Sequence, residues 1–287
     1  MKKKVKRSQL QQIAHRFSRN KTAMAGLMIL FVFIFLAVFA NVLFDYDTVA
    51  LATNAAERLQ PPSAQHWFGT DELGRDILAR VVHGTRMSFL IGFASVLIGL
   101  IGGMILGAVV GYYGGVVDMV VMRIVEIFMA IPAMLMAMII VSVAGASPVS
   151  LSLSLGVSLI PAFTRVTRGT VITVCEMEYI ESARAIGATD STIILHHIIP
   201  NCFAPLLIQV TLSLASSILS ISGLSYLGMG INPPTPEWGS MLSAARNYLH
   251  GSGYMAIFPG LAIMLTILAL NLIGDGLRDA ADPKLKR

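Results

Sequence analysis

This 287-residue sequence has little charge and almost no cysteine: Asp, Glu, Lys and Arg make up 13% of it, and Cys175 and Cys202 are its two cysteines. The charged share is about half that of an ordinary soluble domain. Too little polar surface remains to coat a globule, which excludes a disordered chain and a secreted disulfide scaffold. Two cysteines 27 positions apart, without a CxxC, read as small apolar residues in reducing surroundings. Lysine is missing from the whole interior, since all seven lie at positions 2, 3, 4, 6, 21, 284 and 286. A phosphate-binding GxxxxGK[ST] loop needs a lysine, so ATP hydrolysis by this chain is not expected. There is no HExxH and no recognisable Ser/His/Asp set. The adjacent His196 and His197 point about 100° apart on a helix and cannot form an i, i+4 metal pair, so they read as interface or capping residues. The chain is expected to be non-catalytic, with no metal or cofactor of its own.

What the sequence does have is hydrophobic residues, 55% of the total, gathered into long runs. A helix crossing ~30 Å of hydrocarbon needs about 20 residues, so uncharged stretches can be counted as crossings. Six emerge, which gives an all-α polytopic membrane protein. They are Ala23 to Phe44, about Ser88 to Tyr112, Asp118 to Val143, Val149 to Arg168, Phe203 to Gly230 and Tyr254 to Gly274. The third and fourth are parted by Ala144 to Pro148, because the uncharged stretch from Glu126 to Arg165 is too long for one crossing. Pro132 is expected to kink the third. The alternation of Ser150 to Leu155 would suit a strand, but a lone strand in lipid leaves its backbone unpaired, so helix is the reading.

The first 22 residues hold eight Lys/Arg and no acid. A nucleic-acid arm is one reading of such a run, but the apolar stretch that follows at once makes it a membrane flank. A cleavable signal peptide fits poorly, because the apolar run is longer than an h-region and no small-x-small site follows. With the N-terminus inside and Arg123 set aside as part of the third crossing, cytoplasmic segments hold eight, none, three (Arg184 with Arg165 and Arg168 at the end of the fourth crossing) and four Lys/Arg, and outer segments four, none and one, which places both termini in the cytoplasm. The expected organisation is a basic segment 1–22, a first crossing 23–44, an external loop 45–87 and a core 88–274. The core contains a cytoplasmic connection 169–200 and an external loop 231–253, and a cytoplasmic tail 275–287 follows.

Within the spans, Ser95, Gly99, Gly103, Gly107 and Gly111 recur at spacing four, a seam that lets another helix approach, in this chain or in a partner subunit. Ser150, Ser154 and Ser158 share one helix face, and Ser213, Ser217 and Ser220 enrich the fifth span. These hydroxyls either bond back to their helices or line a polar pathway. Arg123 and Glu126, three apart, read as an ion pair, with a role in coupling or in the solute path as the alternative. The Pro-rich segment 232–239, with Trp238, reads as an interfacial anchor or as a docking or gating loop.

The 169–200 connection parses as two short helices, with Gly187 at the break, Thr189 or Asp190 capping the second, and Pro200 where the fifth span begins. Ile180, Ala183 and Ile186 form a small apolar stripe that could enter a partner's groove. Here Glu181-Ser182-Ala183, Gly187 and Pro200 match the spacing of the EAA loop, and the sequence resembles the permeases of binding-protein-dependent ABC importers. Ser182, His197 and Ile199 depart from the usual residues. His66-Trp-Phe-Gly-Thr-Asp-Glu-Leu-Gly-Arg-Asp76, 232–239 and 274–283 narrow the resemblance to the peptide/nickel branch.

The resemblance implies a type I ABC importer permease fold and a heterodimer with a second permease in the cell membrane. It also implies two ATPase subunits that hold ATP and Mg, and an external solute-binding protein. Nucleic acid is not among the expected partners. Glu178, Glu181, Ser182, Ala183, Arg184, Gly187 and Ala188 would form the segment that seats in the ATPase. The competing reading is an autonomous secondary carrier or membrane scaffold, against which stands the lack of a repeat between residues 1–143 and 144–287. Dipeptide, oligopeptide, glutathione and nickel remain open as solutes.

Overall fold

The computed structural model describes residues 9–281. Residues 1–8 of the basic segment and 282–287 of the tail, with six of the seven lysines, lie outside the described residues. Helix α1 (Gln9–Phe17) leads to α2 (Lys21–Leu43), the first crossing. The side chain of Asn20 caps α2 by accepting the N–H groups of Thr22 and Ala23, two of the donors a helix start leaves orphaned.

The second crossing, α3 (Ile77–Tyr113), begins well before the expected Ser88, so the loop expected at 45–87 ends at Asp76. Asp76 explains the earlier start, because its Oδ1 accepts the N–H of Ala79 at 2.9 Å. The charges that made 77–87 look like loop are spent on protein. Arg80 donates to the carbonyl of Ala50 at 3.0 Å, and Arg86 donates to Asn41 Oδ1 at 2.7 Å.

The third crossing is not one kinked helix from Asp118 to Val143. It is two helices, α4 (Gly115–Ala130) and α5 (Ala133–Ala144), bent by 86°. Ile131, immediately before Pro132, is forced out of the helical region to φ −88°, ψ 125°, and Pro132 is extended as well at ψ 127°. The chain therefore turns rather than kinks. A hollow of about 200 Å³ opens in the elbow between Phe128, Pro132, Ser158 and Pro161.

Helix α6 (Pro148–Cys175) starts on a capping box between Ser147 and Ser150 and runs past Arg168. Arg168 does not end the helix because Asp118 of α4 takes its guanidinium bidentately, at 2.5 and 2.6 Å. Helix α7 (Glu178–Ala185) follows, then α8 (Asp190–Thr192), which passes through a π-helical turn at Ile193–Ile198 into α9 (Ile199–Tyr226). The second short helix is thus the foot of the fifth crossing. Helices α10 (Trp238–Ala245) and α11 (Leu249–Ser252) precede the sixth crossing, α12 (Tyr254–Ala281), which continues through the first part of the expected tail. Among the described residues five helices are long and apolar enough to cross a membrane, and the α4–α5 pair makes a sixth if it is counted as one broken span.

The glycine seam sets the packing. A Cβ on Gly99 would lie 2.6 Å from Leu159 Cβ, one on Gly107 2.6 Å from Thr164 O, and one on Gly111 2.8 Å from Val171 Cβ. Gly103 meets Phe163 Cβ and Thr164 N in the same way. Leu159, Phe163 and Val171 each follow their glycine by sixty residues, so α3 and α6 run parallel and in register. The seam therefore joins two helices of this chain; it is not a face kept for a partner subunit. Gly26 faces Ala269 and Gly276 faces Ala23, which sets α2 antiparallel to α12. Helices α3, α6 and α12 end, and α2 begins, at one face of the bundle, here called the terminal face.

At the opposite face the 231–253 segment is packed into the protein. Trp238 is fully buried, donates its Nε1 hydrogen to Val81 O at 3.0 Å, and meets the rings of Phe33 and Phe89 edge-on at 5.6 and 5.9 Å. It is a core residue, not an interfacial anchor. Glu237 beside it is also buried and caps α10 by accepting the N–H groups of Gly239 and Ser240 at 2.8 Å. Burial pushes its carboxyl above the usual 4.5. A raised carboxyl contributes stability that is full below the ordinary value and lost as pH rises through the raised one. Glu237→Gln keeps an acceptor and removes the titration. Thermal melts of the detergent-purified protein should show the variant ahead of wild type at pH 8 and the gap closing toward pH 5. Parallel pH profiles would contradict this.

Candidate functional site

The 178–188 segment is built by local rules on a packed base. An eight-residue helix is not stable alone, and α7 is held because Ile180 and Ala183 are buried against its own bundle. Burial of the Ile180 side chain is worth about 1.5–3 kcal/mol. The stripe expected to enter a partner's groove thus faces inward at two of its three positions, and Ile186 alone, 86% exposed, points away. The helix stops in a Schellman motif: Gly187 N–H donates to Arg184 O at 3.0 Å and Ala188 N–H to Ala183 O at 3.1 Å. Gly187 has φ +84°, the left-handed conformation that disfavours a side chain. Thr189 Oγ1 then caps α8 by accepting Thr192 N–H at 3.4 Å.

This arrangement leaves Glu178, Glu181, Ser182, Arg184 and Gly187 exposed, with Ala183 underneath and Ala188 half-buried. Glu178 and Glu181 lie in the first turn of α7, where negative charge complements the helix dipole, and Arg184 lies in the last. The result is a short charged rod attached on one side to the ends of α3 and α6.

A clasp that the sequence did not reveal makes that attachment. Tyr112, at the end of α3, donates its hydroxyl to Asp190 Oδ1 at 2.6 Å, and the Arg184 guanidinium lies over the Tyr112 ring at 5.3 Å. These residues stand 78 apart or nearly so, and no periodicity links them. The clasp ties the end of α3 to α7 and to the turn that follows it. Tyr112→Phe removes one partly exposed hydrogen bond, worth about 0.5–1 kcal/mol. We expect normal folding and roughly two- to fivefold faster hydrogen exchange of the 178–188 backbone amides, measured by mass spectrometry of the detergent-purified protein. Unchanged exchange would deny the clasp a role in holding the segment.

The serines proposed for a pathway are mostly closed off. Ser150, Ser154, Ser213 and Ser217 are buried, and only Ser158 and Ser220 of the six reach the surface in part. On α6, Ser150 donates to Gly145 O in the turn before the helix, Ser154 to Leu151 O at 2.9 Å and Ser158 to Ser154 O at 2.8 Å. These hydroxyls are taken up by their own helix and the turn that starts it. On α9, Ser213 accepts from Gln209 at 3.1 Å, while Ser217 Oγ is buried with no hydrogen-bond partner among the described residues. Arg123 and Glu126 do form the expected ion pair, at 3.0 Å. His196 is exposed, and His197 lies 6.3 Å from the Tyr179 ring. No cluster of three or more metal-ligating side chains occurs among the described residues.

The 66–76 stretch is a compact turn. His66 Nδ1 and Asp76 Oδ2 are 2.8 Å apart, and Arg75 Nε donates to Asp71 Oδ2 at 2.7 Å with both side chains buried. Its charges are consumed internally, which leaves Trp67 as the exposed aromatic.

Five long apolar helices, a bent pair that makes up a third crossing and a short exposed helix slung between the fourth and fifth crossings define a polytopic helical membrane protein. An inward-facing structure of the MetNI methionine ABC transporter superposes with a TM-score of 0.56 at 19% identity, over 71% of this chain and 97% of that one. A crystal structure of an amino acid ABC transporter with histidines gives 0.52 at 13% identity, over 69% and 92%. The model of the family described as "Binding-protein-dependent transport system inner membrane component" matches residues 103–287, and that of the "N-terminal TM domain of oligopeptide transport permease C" matches residues 8–62. The chain belongs to the binding-protein-dependent transport system inner membrane components. It is 44% identical over 271 residues to the dipeptide transport system permease protein DppC of Alkalihalophilus pseudofirmus, covering 94% of this chain and 88% of that protein. It is 41% identical over 285 residues to the di/tripeptide transport system permease protein DppC of Pseudomonas aeruginosa, covering 97% and 93%. The glutathione transport system permease protein GsiD of Pectobacterium atrosepticum is also 41% identical, over 283 residues, covering 98% and 93%.

Proposed function

We propose that this chain is one half of the transmembrane passage of an ATP-driven importer for short peptides, and that its 178–188 segment receives the stroke of a separate ATPase. The observation that carries the reading is the division within α7: Ile180 and Ala183 anchor it to the bundle while Glu178, Glu181, Ser182 and Arg184 face outward. A rod fixed on one side and bare on the other passes on a push. The terminal face is then cytoplasmic, and the face bearing Trp67 meets the solute-binding protein. A second permease completes the passage, because six crossings from one chain rarely enclose a peptide-sized path. Two ATPase subunits hold ATP and Mg. Closure of the ATPases drives the segment, and the bundle exchanges inward for outward access because the nucleotide-bound ATPase pair binds one state better than the other. The names of the relatives favour peptides, glutathione included, over a nickel chelate.

Reconstitution tests this. Proteoliposomes holding both permeases, the ATPases and the binding protein should accumulate labelled alanyl-alanine only with ATP. The chain without ATPases should accumulate none. Transport by the chain alone would favour an autonomous carrier.

A further inference from the structure

Helix α4 is chemically lopsided in a way that its packing does not explain. At 100° per residue, Asp118, Val121, Met122 and Val125 fall on the side turned to the bundle, and Val125 is buried there. One flank carries Val117, Val120, Ile124, Ile127 and Phe128, all exposed and purely apolar, as suits lipid. The other flank carries Met119, Arg123, Glu126 and Ala130. The Arg123 and Glu126 side chains are 75% and 51% exposed, and among the described residues they make no ion pair except with each other. Ionisable side chains within a crossing turn to protein or to a water-filled cavity, because hydrocarbon is costly for them. This flank is therefore turned away from lipid, toward water or a further protein chain.

From this we infer that Arg123 and Glu126 form an exchange site for zwitterions on the wall of the passage, an inference that rests on the peptide-import reading above. The solute's carboxylate takes the Arg123 guanidinium, its ammonium takes Glu126, and the two side chains pair again when the solute leaves. The dimensions suit. Side chains three apart on a helix are separated by about 5–6 Å at Cβ, and an extended dipeptide is about 7 Å long. The chemistry suits as well. A zwitterion replaces one plus–minus contact with two and leaves no charge uncompensated, whereas a lone anion or cation would strand the opposite member of the pair. A self-paired site is also weak, as a passage requires if the solute is to leave.

The test uses the complete importer in proteoliposomes with alanyl-alanine as probe. Arg123→Gln and Glu126→Gln should each lower uptake per ATP by about tenfold or more, the effect of a lost charge-assisted hydrogen bond. Peptide-independent ATPase activity should be retained, which shows that the variants assemble. The reversed pair, Arg123→Glu with Glu126→Arg, should recover most of the loss. In a background with Cys175 and Cys202 replaced by alanine, Met119→Cys should react with a membrane-impermeant methanethiosulfonate about tenfold faster than Ile127→Cys, and alanyl-alanine should slow it. Wild-type uptake that survives in both neutral variants overturns the inference and leaves the peptide reading standing. Slow, peptide-insensitive labelling at position 119 also overturns it and assigns the flank to contact with the second permease. A wild-type importer that moves no peptide overturns the parent reading and this assignment together.

Discussion

Glu181→Lys and Gly187→Pro are expected to abolish ATP-driven uptake while leaving the chain folded in the membrane. Glu181 is exposed in the first turn of α7, and among the described residues its side chain makes no hydrogen bond or ion pair, so its replacement spares the crossings. A lysine there reverses the charge presented to the ATPase and opposes the helix dipole. Gly187→Pro acts on geometry. Proline requires φ near −65° where the glycine has +84°, and it removes the N–H that closes the Schellman motif on Arg184 O. The rod should then lose its angle to α8 while Ile180 stays seated. Coupling free energies between sites run to about 1–3 kcal/mol, or 5–150-fold, and both variants should lie near the upper end. Uptake in proteoliposomes, with co-purification of the ATPase, is the measurement. Variants that retain a normal ATPase complex and unchanged uptake would remove the segment from the mechanism.

Gly103→Leu should have the largest effect on the fold. Even a Cβ at this position would press on Phe163 Cβ and Thr164 N, and the neighbouring contacts at Gly99 and Gly107 leave α3 no room to retreat without opening the seam. Overpacking of a tight core costs about 1–3 kcal/mol and occasionally more; here backbone, not a flexible side chain, must give. We expect the variant to yield little monodisperse protein in detergent, with Gly103→Ala intermediate. Ile101→Leu, at an exposed position nearby, should match wild type. The seam joins α3 to α6 within one chain, so the defect should appear even when the chain is expressed without its partners. Gly103→Leu protein with wild-type yield and melting temperature would show that α3 and α6 do not pack as described.

The crossings were legible because charge is scarce and the hydrophobic runs have membrane length. Their ends were less so. Arg86 and Arg168 looked like boundaries, yet each donates to protein inside or beside a helix, and sequence does not reveal which charges are paired. The turn at Gly187 and the cap at Thr189 could be read because they obey rules spanning a few residues. The clasp of Tyr112 on Asp190 could not, since it depends on how α3 and α6 end side by side. The glycine run announced a close approach without naming the helix approached. Trp238 was misplaced for a related reason: a tryptophan near a membrane end suits the interface, and only the fold brings Phe33, Val81 and Phe89 around it.

If an ATPase stroke enters the bundle through the 178–188 segment, Ile186, bare at its tip, lies where the two proteins meet. In a background without Cys175 and Cys202, Ile186→Cys in the assembled importer should cross-link to engineered cysteines on an ATPase subunit, with a yield that changes when ATP is added. Cross-linking to the solute-binding protein, or to nothing, would contradict the account.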